Sequence, residues 1–158
     1  ILFLFAGSSL IAQNYTRDAG IRVGDFFTAT FRSHQNESEA LEANLFIGRH
    51  GATIGVLKEY FEPTLGSVSD NLYFQYGMGI HVGLRYIDHY KVLNREYQLD
   101  SYRFTPLFGV DGLVGLEYRF PKIPFLIGID IKPYFEYSSI QIFSIYLQSA
   151  GISIKYRF

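Results

Sequence analysis

The chain of 158 residues contains no cysteine, no tryptophan and only five prolines. Without cysteine it can form neither a disulfide framework nor a thiolate metal site. The net charge of −1 gives no electrostatic basis for binding nucleic acid, so we expect no such partner. What is abundant instead is tyrosine, phenylalanine and glycine, with 13, 15 and 15 residues.

Long apolar runs are also missing, apart from the first twelve residues. Ile1 to Ala12 is apolar, ends in small residues and precedes Gln13. It is too short to span a bilayer as a helix, and it is typical of a signal-peptide core with its cleavage site. A buried strand or a short anchor helix is the alternative. We expect a signal-peptide remnant over 1–12, a mature amino-terminal segment over 13–17 and one domain over 18–158.

The clearest pattern is an alternation of apolar and polar residues from Gly109 to Tyr137. Two alternating runs flank the turn Pro121–Pro124, which predicts a β-hairpin. The apolar face is aromatic at its ends, whereas the opposite face mixes both charge signs with glycine. This distribution is typical of strands that face lipid on one side and a narrow lumen on the other.

The same period of two continues elsewhere, and no helical period occurs in 13–158. Five further runs alternate in the same way: 19–32, with a bulge or bend near Gly24-Asp25, 41–47, 53–60, 72–86 and 152–158. Together with the two runs of the hairpin, they predict seven strands. The predicted fold is all-β, an antiparallel up-and-down transmembrane β-barrel. Since such barrels have an even number of strands, we expect eight. The eighth strand is expected within Ile87–Thr105, for instance Lys91 to Gln98 after a turn at Ile87-Asp88-His89; alternatively, a turn at Gly77–Gly79 divides the run 72–86.

Connections of different length are expected at the two ends of this barrel, with short periplasmic turns and longer outer loops. Arg49–Gly51 and Pro121–Pro124 are the predicted short turns. The predicted longer loops are Ser33–Glu39, Glu62–Asn71, part of Ile87–Thr105, and Ser138–Ser149. Pro133 cannot donate a ladder hydrogen bond, so we expect it at a bulge or above the paired region.

The predicted inward face carries balanced charges, which indicates a hydrogen-bonded plug in a lumen just wide enough for side chains. The expected network is Arg22, Glu42, Glu59, Arg85, Asp111, Glu117, Arg119, Asp130, Lys132, Glu136, Lys155 and Arg157. An aromatic girdle is expected from Tyr118, Phe120, Phe125, Tyr156 and Phe158 at the periplasmic end, and from Tyr60 and Tyr137 towards the outer end. A soluble lipocalin-like barrel is the alternative, but it requires the apolar faces inside.

The chain resembles the small outer-membrane β-barrel proteins of Bacteroidetes-type bacteria and, in architecture, the OmpA/OmpX-type eight-stranded barrels. The segments that carry this resemblance are Ala12-Gln13, Tyr76–Gly83, Gly109–Phe120, Ile129–Glu136 and the terminal ISIKYRF. It implies a bacterial outer-membrane location. It also implies that Ile152, Ile154, Tyr156 and Phe158 form a closing signal that the barrel-assembly machinery reads.

No residue pattern predicts catalysis, a cofactor or a metal site. His34, His50 and His89 lie in or beside predicted loops at spacings unlike those of a metal site, and His81 is expected to be a hydrogen-bonded lumen residue. Asp111, Asp130 and Glu136 could hold a cation, but Arg119 and Lys132 are expected to neutralise them. Inward glycines are expected to make room for large neighbouring side chains.

Three functions are compatible with this sequence. The first is a structural or accessory outer-membrane protein, free-standing or a subunit of a larger envelope complex. The second is a surface adhesion or binding protein that uses its outer loops, for instance by β-augmentation. The third, a lipid-modifying enzyme, needs a polar pair on the lipid face that the sequence does not show. Outer-membrane lipid and lipopolysaccharide are expected partners of all three.

Overall fold

The structure is a computed structural model that describes residues 16–24, 27–48, 51–64, 70–92, 95–138, 144–146 and 149–158, with the backbone alone for 87–103 and 146. The described residues form ten β-segments. Their bounds are β1 Arg17–Val23, β2 Phe27–His34, β3 Glu39–Gly48, β4 Gly51–Pro63, β5 Leu72–Val92, β6 Arg95–Arg119, β7 Phe125–Ile131, β8 Tyr134–Ser138, β9 Ser144–Tyr146 and β10 Ala150–Arg157. No helix among these residues is long and apolar enough to cross a membrane.

The ten segments build a closed antiparallel barrel of eight strands. Each strand from β1 to β6 pairs with the next one along the chain, and β6 then pairs with β7 and β8. β10 pairs with both β7 and β1, which closes the barrel. β7 and β8 together form one strand of the wall, and β9 and β10 together form another. The ten segments therefore make eight strands, and the predicted eight-stranded fold is confirmed.

Pro133 explains why β7 and β8 are separate segments. Lys132 and Pro133 interrupt the strand, although β6 pairs in one register with β7 and β8. Gly112 still donates its backbone N–H to the Pro133 carbonyl at 2.7 Å. On the other side, the pairing register changes by one residue between the pair Ile131 and Ala150 and the pair Tyr134 and Tyr146.

The eighth strand comes from the amino-terminal region, where the sequence predicted a single strand over 19–32 with a bulge or bend near Gly24-Asp25. That prediction was wrong. The chain reverses between Val23 and Phe27, and β1 pairs with β2 along its whole length, from Arg17 opposite Ser33 onwards. The reversal takes only three residues and begins with Gly24, so alternation continues on either side and conceals the turn.

Neither location proposed for the eighth strand holds. β5 runs without interruption from Leu72 to Val92, and β6 begins at Arg95, so 87–105 provides the ends of two strands and no separate one. The expected turn at Ile87–His89 is a shift in pairing register. Gly77 and Gly79 pair with Glu59 and Leu57 inside the ladder, so no turn divides the run there.

The barrel has a terminal end, where Arg17 and Phe158 exchange backbone hydrogen bonds of 3.1 and 2.8 Å, and an opposite far end. The connections 35–38, 64–71 and 120–124 lie at the terminal end, whereas β1–β2, β3–β4, β5–β6 and β8–β9 are joined at the far end. The predicted division into short periplasmic turns and longer outer loops was therefore wrong for three connections. Ser33–Glu39 and Glu62–Asn71 lie at the terminal end, and Arg49–Gly51 lies at the far end.

The wall is uneven in height. β1 and β2 have 7 and 8 residues, whereas β5 and β6 have 21 and 25. Within the described residues, β4 pairs with β5 only up to Arg85, and β8 pairs with β6 only from Leu107. In the described part of the chain, the far-end part of the β5–β6 hairpin, 86–106, therefore extends beyond the paired parts of β4 and β8, and we call it the β5–β6 arm.

The two faces of the wall are opposite to those of a soluble barrel. Outward side chains are large and apolar, such as Met78 at 70%, Ile80 at 64% and Phe108 at 58% exposure. The inward side chains include many buried polar and charged groups. Because polar groups are costly to bury unless they are paired, the inner face must provide its own partners. This distribution fits lipid outside and a polar interior.

Candidate functional site: the charged lumen

The lumen is built from alternate residues of every strand. All twelve charged residues predicted for the inner face lie on it. Arg22, Glu42, Glu59, Asp111, Glu117, Glu136 and Lys155 are buried, and Arg85, Arg119, Asp130, Lys132 and Arg157 are partly buried. Their ion pairs divide into a cluster near the terminal end, a central pair and a cluster near the far end.

Arg32 lies at the centre of the terminal-end cluster and is fully buried. Its Nη1 donates to Glu117 Oε2 at 2.5 Å, and its Nε lies 2.8 Å from Glu59 Oε2. Asp18 and Glu42 approach it at 3.6 and 3.5 Å, and Lys155 donates to Glu42. Four carboxylates from four strands thus surround one guanidinium, whose charge holds together groups that would otherwise repel each other.

An inward aromatic ring lies beside this cluster. Phe61 points inward with 2% exposure, between the guanidinium carbons of Arg32 and Arg119, which lie 4.9 and 4.8 Å from its ring centroid. Arg119 also lies over Tyr73 at 4.1 Å and donates to Glu117 at 2.8 Å. Because cation–π attraction is stronger away from water, these contacts hold the ring in place inside the barrel.

His81 anchors the far-end cluster. Its Nδ1 lies 2.9 Å from Asp111 Oδ1 and its Nε2 lies 3.6 Å from Glu136 Oε2. Arg85 forms two contacts with Glu136, of 2.6 and 2.9 Å. The Tyr134 ring packs edge-on against the imidazole, 5.9 Å between centroids. His81 therefore bridges two carboxylates, and its expected role as a hydrogen-bonded lumen residue agrees with these contacts.

The carboxylates of Asp111, Asp130 and Glu136 are paired with other residues than the sequence suggested. Arg22 forms a two-pronged contact with Asp130, 2.8 Å through Nε and 2.6 Å through Nη2. The sequence had assigned Arg119 and Lys132 to neutralise Asp111, Asp130 and Glu136. Instead, His81, Arg22 and Arg85 contact these three carboxylates respectively. No group of three or more carboxylate or histidine side chains within the described residues could hold a metal ion.

Inward glycines give these side chains their room. A Cβ on Gly151 would lie 2.6 Å from the Arg22 guanidinium carbon, and a Cβ on Gly109 would collide with the His81 ring. A Cβ on Gly79 would lie 2.7 Å from Leu57 Cγ. Glycine thus sits opposite a large inward side chain on a neighbouring strand, which was the role expected for it.

Aromatic side chains surround the outer surface at the terminal end. Tyr118 packs against Phe120, Phe125 against Tyr156, and Phe158 against both Tyr156 and Phe31. Tyr60 was predicted towards the other end, but it stacks on Tyr76 at 5.4 Å near the terminal ends of β4 and β5. The reason is that β4 runs towards the terminal end. Tyr137, near the far end, packs against Phe108 at 5.0 Å.

Sequence reasoning missed Arg32, Asp18 and Phe61. The signal was present, because Arg32 continues the inward series of Thr28 and Thr30, and Phe61 follows Glu59 by two residues. Arg32 was overlooked because the sequence appeared to enter a loop at Ser33. His34, also placed in that loop, is the last residue of β2, and its Nε2 lies 2.9 Å from Asp18 Oδ2.

The remaining predictions concern residues outside the described part of the chain, or residues of which only the backbone is described. Residues 1–15, which include the expected signal-peptide remnant, and His50 lie outside the described residues. So do Ile140, Ile142 and Phe143 of the predicted last loop. His89 lies in β5, where only the backbone is described.

Comparison with known proteins supports the fold. The N-terminal β-barrel domain of Pseudomonas aeruginosa OprF, solved by crystallography, is similar to this chain with a TM-score of 0.59 and 14% sequence identity. The similarity covers 90% of this chain and 95% of the OprF domain. No protein-family model matches the chain, and no curated protein sequence matches it. At this identity, the likeness to OprF concerns the fold alone.

Proposed function

We propose that this chain is an integral outer-membrane β-barrel protein with a plugged lumen, acting as a structural or accessory subunit of a larger envelope complex. The observation that carries the proposal is the pairing of an apolar exterior with an ion-paired interior. An exterior of this kind is stable only against lipid or another apolar surface. Outer-membrane lipid and lipopolysaccharide are its proposed surroundings.

The plug is supported by the terminal-end cluster. Phe61, Arg32 and Arg119 stack across the lumen, and the carboxylates around Arg32 occupy the adjoining space. Barrels of eight strands have interiors that side chains can fill. An ion that entered would have to separate buried ion pairs, which is strongly unfavourable.

Planar lipid bilayers test the plug. The purified full chain is expected to give no steady ion conductance, whereas Phe61→Ala, which removes the ring between the two guanidinium groups, is expected to admit measurable current. Phe74→Ala is the matched control, because Phe74 lies on the outward face with 39% exposure. Steady conductance by the unsubstituted chain would show that the lumen is open and would contradict the plug.

The accessory role is tested separately, by extracting the native membrane in mild detergent and determining which proteins remain with the chain. A partner in fixed proportion, retained through two purification steps, is expected. A lone monomer would contradict the subunit role and leave the membrane barrel intact.

A second function, binding at the cell surface, is favoured by the β5–β6 arm. A membrane crossing needs about 9–11 residues of a β-strand, and β5 and β6 have 21 and 25. Their far-end parts pair with each other beyond Arg85 and Leu107, where β4 and β8 have no further pairing among the residues that the structure describes. Such edges are suitable for the addition of an extended peptide strand.

Shortening the arm tests this second function. A variant that joins Tyr86 to Phe104 through an Asn-Gly turn removes the arm and keeps the barrel strands, because Tyr86 and Phe104 are already opposite each other. It is expected to fold normally and to lose cell-surface attachment that the full chain supports. Equal attachment by both proteins would exclude the arm as a binding site.

A further inference from the structure

A small polar cavity lies inside the barrel between the terminal-end and far-end clusters. Its volume is about 10 Å³, which is room for the centre of about one water molecule. All eight strands of the wall line it, and its charged residues are balanced, with Arg22, Lys132 and Lys155 against Glu42, Glu59 and Asp130. A charge-neutral occupant is therefore favoured.

Three side chains that line this cavity carry buried polar atoms without a hydrogen-bond partner among the described residues: Thr30 Oγ1, Asn44 Nδ2 and both carboxylate oxygens of Glu59. The residues are 5%, 7% and 0% exposed. Arg32 Nε lies 2.8 Å from Glu59 Oε2 but off the direction of a hydrogen bond. A buried polar atom without a hydrogen bond costs about 1–3 kcal/mol. Three side chains with such atoms around one cavity therefore indicate a shared ligand.

The chemistry of the three groups defines that ligand. Asn44 Nδ2 can only donate, and the Glu59 carboxylate, when ionised, can only accept, whereas the Thr30 hydroxyl can do either. The ligand must accept one hydrogen bond and donate another. A metal cation cannot accept a hydrogen bond from the amide, and a simple anion cannot donate to the carboxylate. Water can do both, and it needs only two to four such partners.

We propose that the lumen contains a specific buried water site formed by Thr30, Asn44 and Glu59. Thr30 and Asn44 lie opposite each other on β2 and β3, and Asn44 lies opposite Gly55 on β4, the strand that also carries Glu59. A Cβ on Gly55 would lie 2.7 Å from Asn44 Oδ1, so glycine there sets the amide in place. The water thereby connects three consecutive strands through the lumen.

A crystal structure of the full-length barrel in detergent tests the site directly. The expected result is density for one ordered water at about 2.7–3.2 Å from Thr30 Oγ1, Asn44 Nδ2 and a Glu59 oxygen. A second crystal, soaked in rubidium chloride, distinguishes a cation by its anomalous scattering. Direct bonding among the three side chains, an empty cavity or a rubidium peak would each overturn the proposal.

Two isosteric variants test it in solution. Thr30→Val removes one partner of the water, and we expect the equilibrium constant for unfolding in detergent to rise about tenfold. Thr28→Val is the matched control, because Thr28 lines the same cavity from the same strand but is only partly buried. Its constant is expected to change by less than about twofold. Equal effects of the two variants would contradict a specific role for Thr30.

Discussion

Arg32 Nη1 donates a 2.5 Å hydrogen bond to Glu117 Oε2 across the lumen, although 85 residues separate the two in the chain. Both side chains are fully buried, and they join β2 to β6, which are not neighbours in the wall. Backbone pairing stabilises only adjacent strands, so this ion pair connects parts of the barrel that the hydrogen-bonded ladder does not. The stability of the barrel should depend on it.

Replacing Arg32 by leucine is expected to destabilise the barrel by about 3–5 kcal/mol, because four buried carboxylates would lose the charge that holds them together. Urea unfolding in detergent, followed by the shift of folded and unfolded bands in a gel, measures this loss. Arg17→Leu is the control, since Arg17 is exposed and its change should stay within about 0.5 kcal/mol. Similar stabilities of the two variants would contradict the central role of Arg32.

Adding a methyl group at Gly109 is expected to destabilise the barrel by about 1–3 kcal/mol, since the new Cβ would collide with the His81 ring and with the backbone oxygen of Phe135. Gly112→Ala is the matched control in the same strand. Its Cβ would meet Pro133 Cγ at 3.2 Å, where a small adjustment suffices. The same unfolding assay applies. Because the Phe135 oxygen stays in place, His81→Ala should remove only part of the cost of Gly109→Ala, and a cost that is unchanged would exclude the His81 ring as a cause.

A positive charge on the outer wall is expected to have an effect that depends on its depth. Ile80→Arg, near the middle of β5, should cost about 2–4 kcal/mol in a lipid bilayer, whereas Ile123→Arg, in the turn at the terminal end, should cost about 0–1 kcal/mol. Both positions are exposed, at 64% and 49%. Unfolding in lipid vesicles measures both. Equal costs would mean that the apolar band does not face lipid.

Removing the ring of Phe158 is expected to reduce assembly in cells more than stability after assembly. Phe158 is 50% exposed, contacts Phe31 and Tyr156, and donates its N–H to the Arg17 carbonyl, which any residue could do. We expect Phe158→Ala to lower the amount of barrel in the membrane several-fold and to leave its unfolding in detergent nearly unchanged. Phe120→Ala, at the same end, is the control for a general loss of an aromatic. A variant that assembles normally would exclude Phe158 as an assembly signal.

Much of the architecture could be predicted because the period of two assigns each side chain to a face independently of its partners. The inward position of Glu117 and Lys155, and the outward position of Ile80 and Phe125, follow from alternation alone. The turn at 24–26 could not be found in this way. It is short, and β2 resumes the alternation after it, so one strand and a hairpin give the same pattern.

The sequence by itself determined an all-β chain, with lipid-compatible residues on one face and balanced charges on the other, since local alternation and composition are sufficient for that. Only the tertiary structure decided which connecting segment lies at which end of the barrel and which charged side chains form ion pairs. The contacts of Arg32 with Glu117, and of Arg22 with Asp130, depend on the register and closure of eight strands. Closure brings segments that are distant in the sequence together across the lumen, and no local sequence pattern predicts the resulting distances.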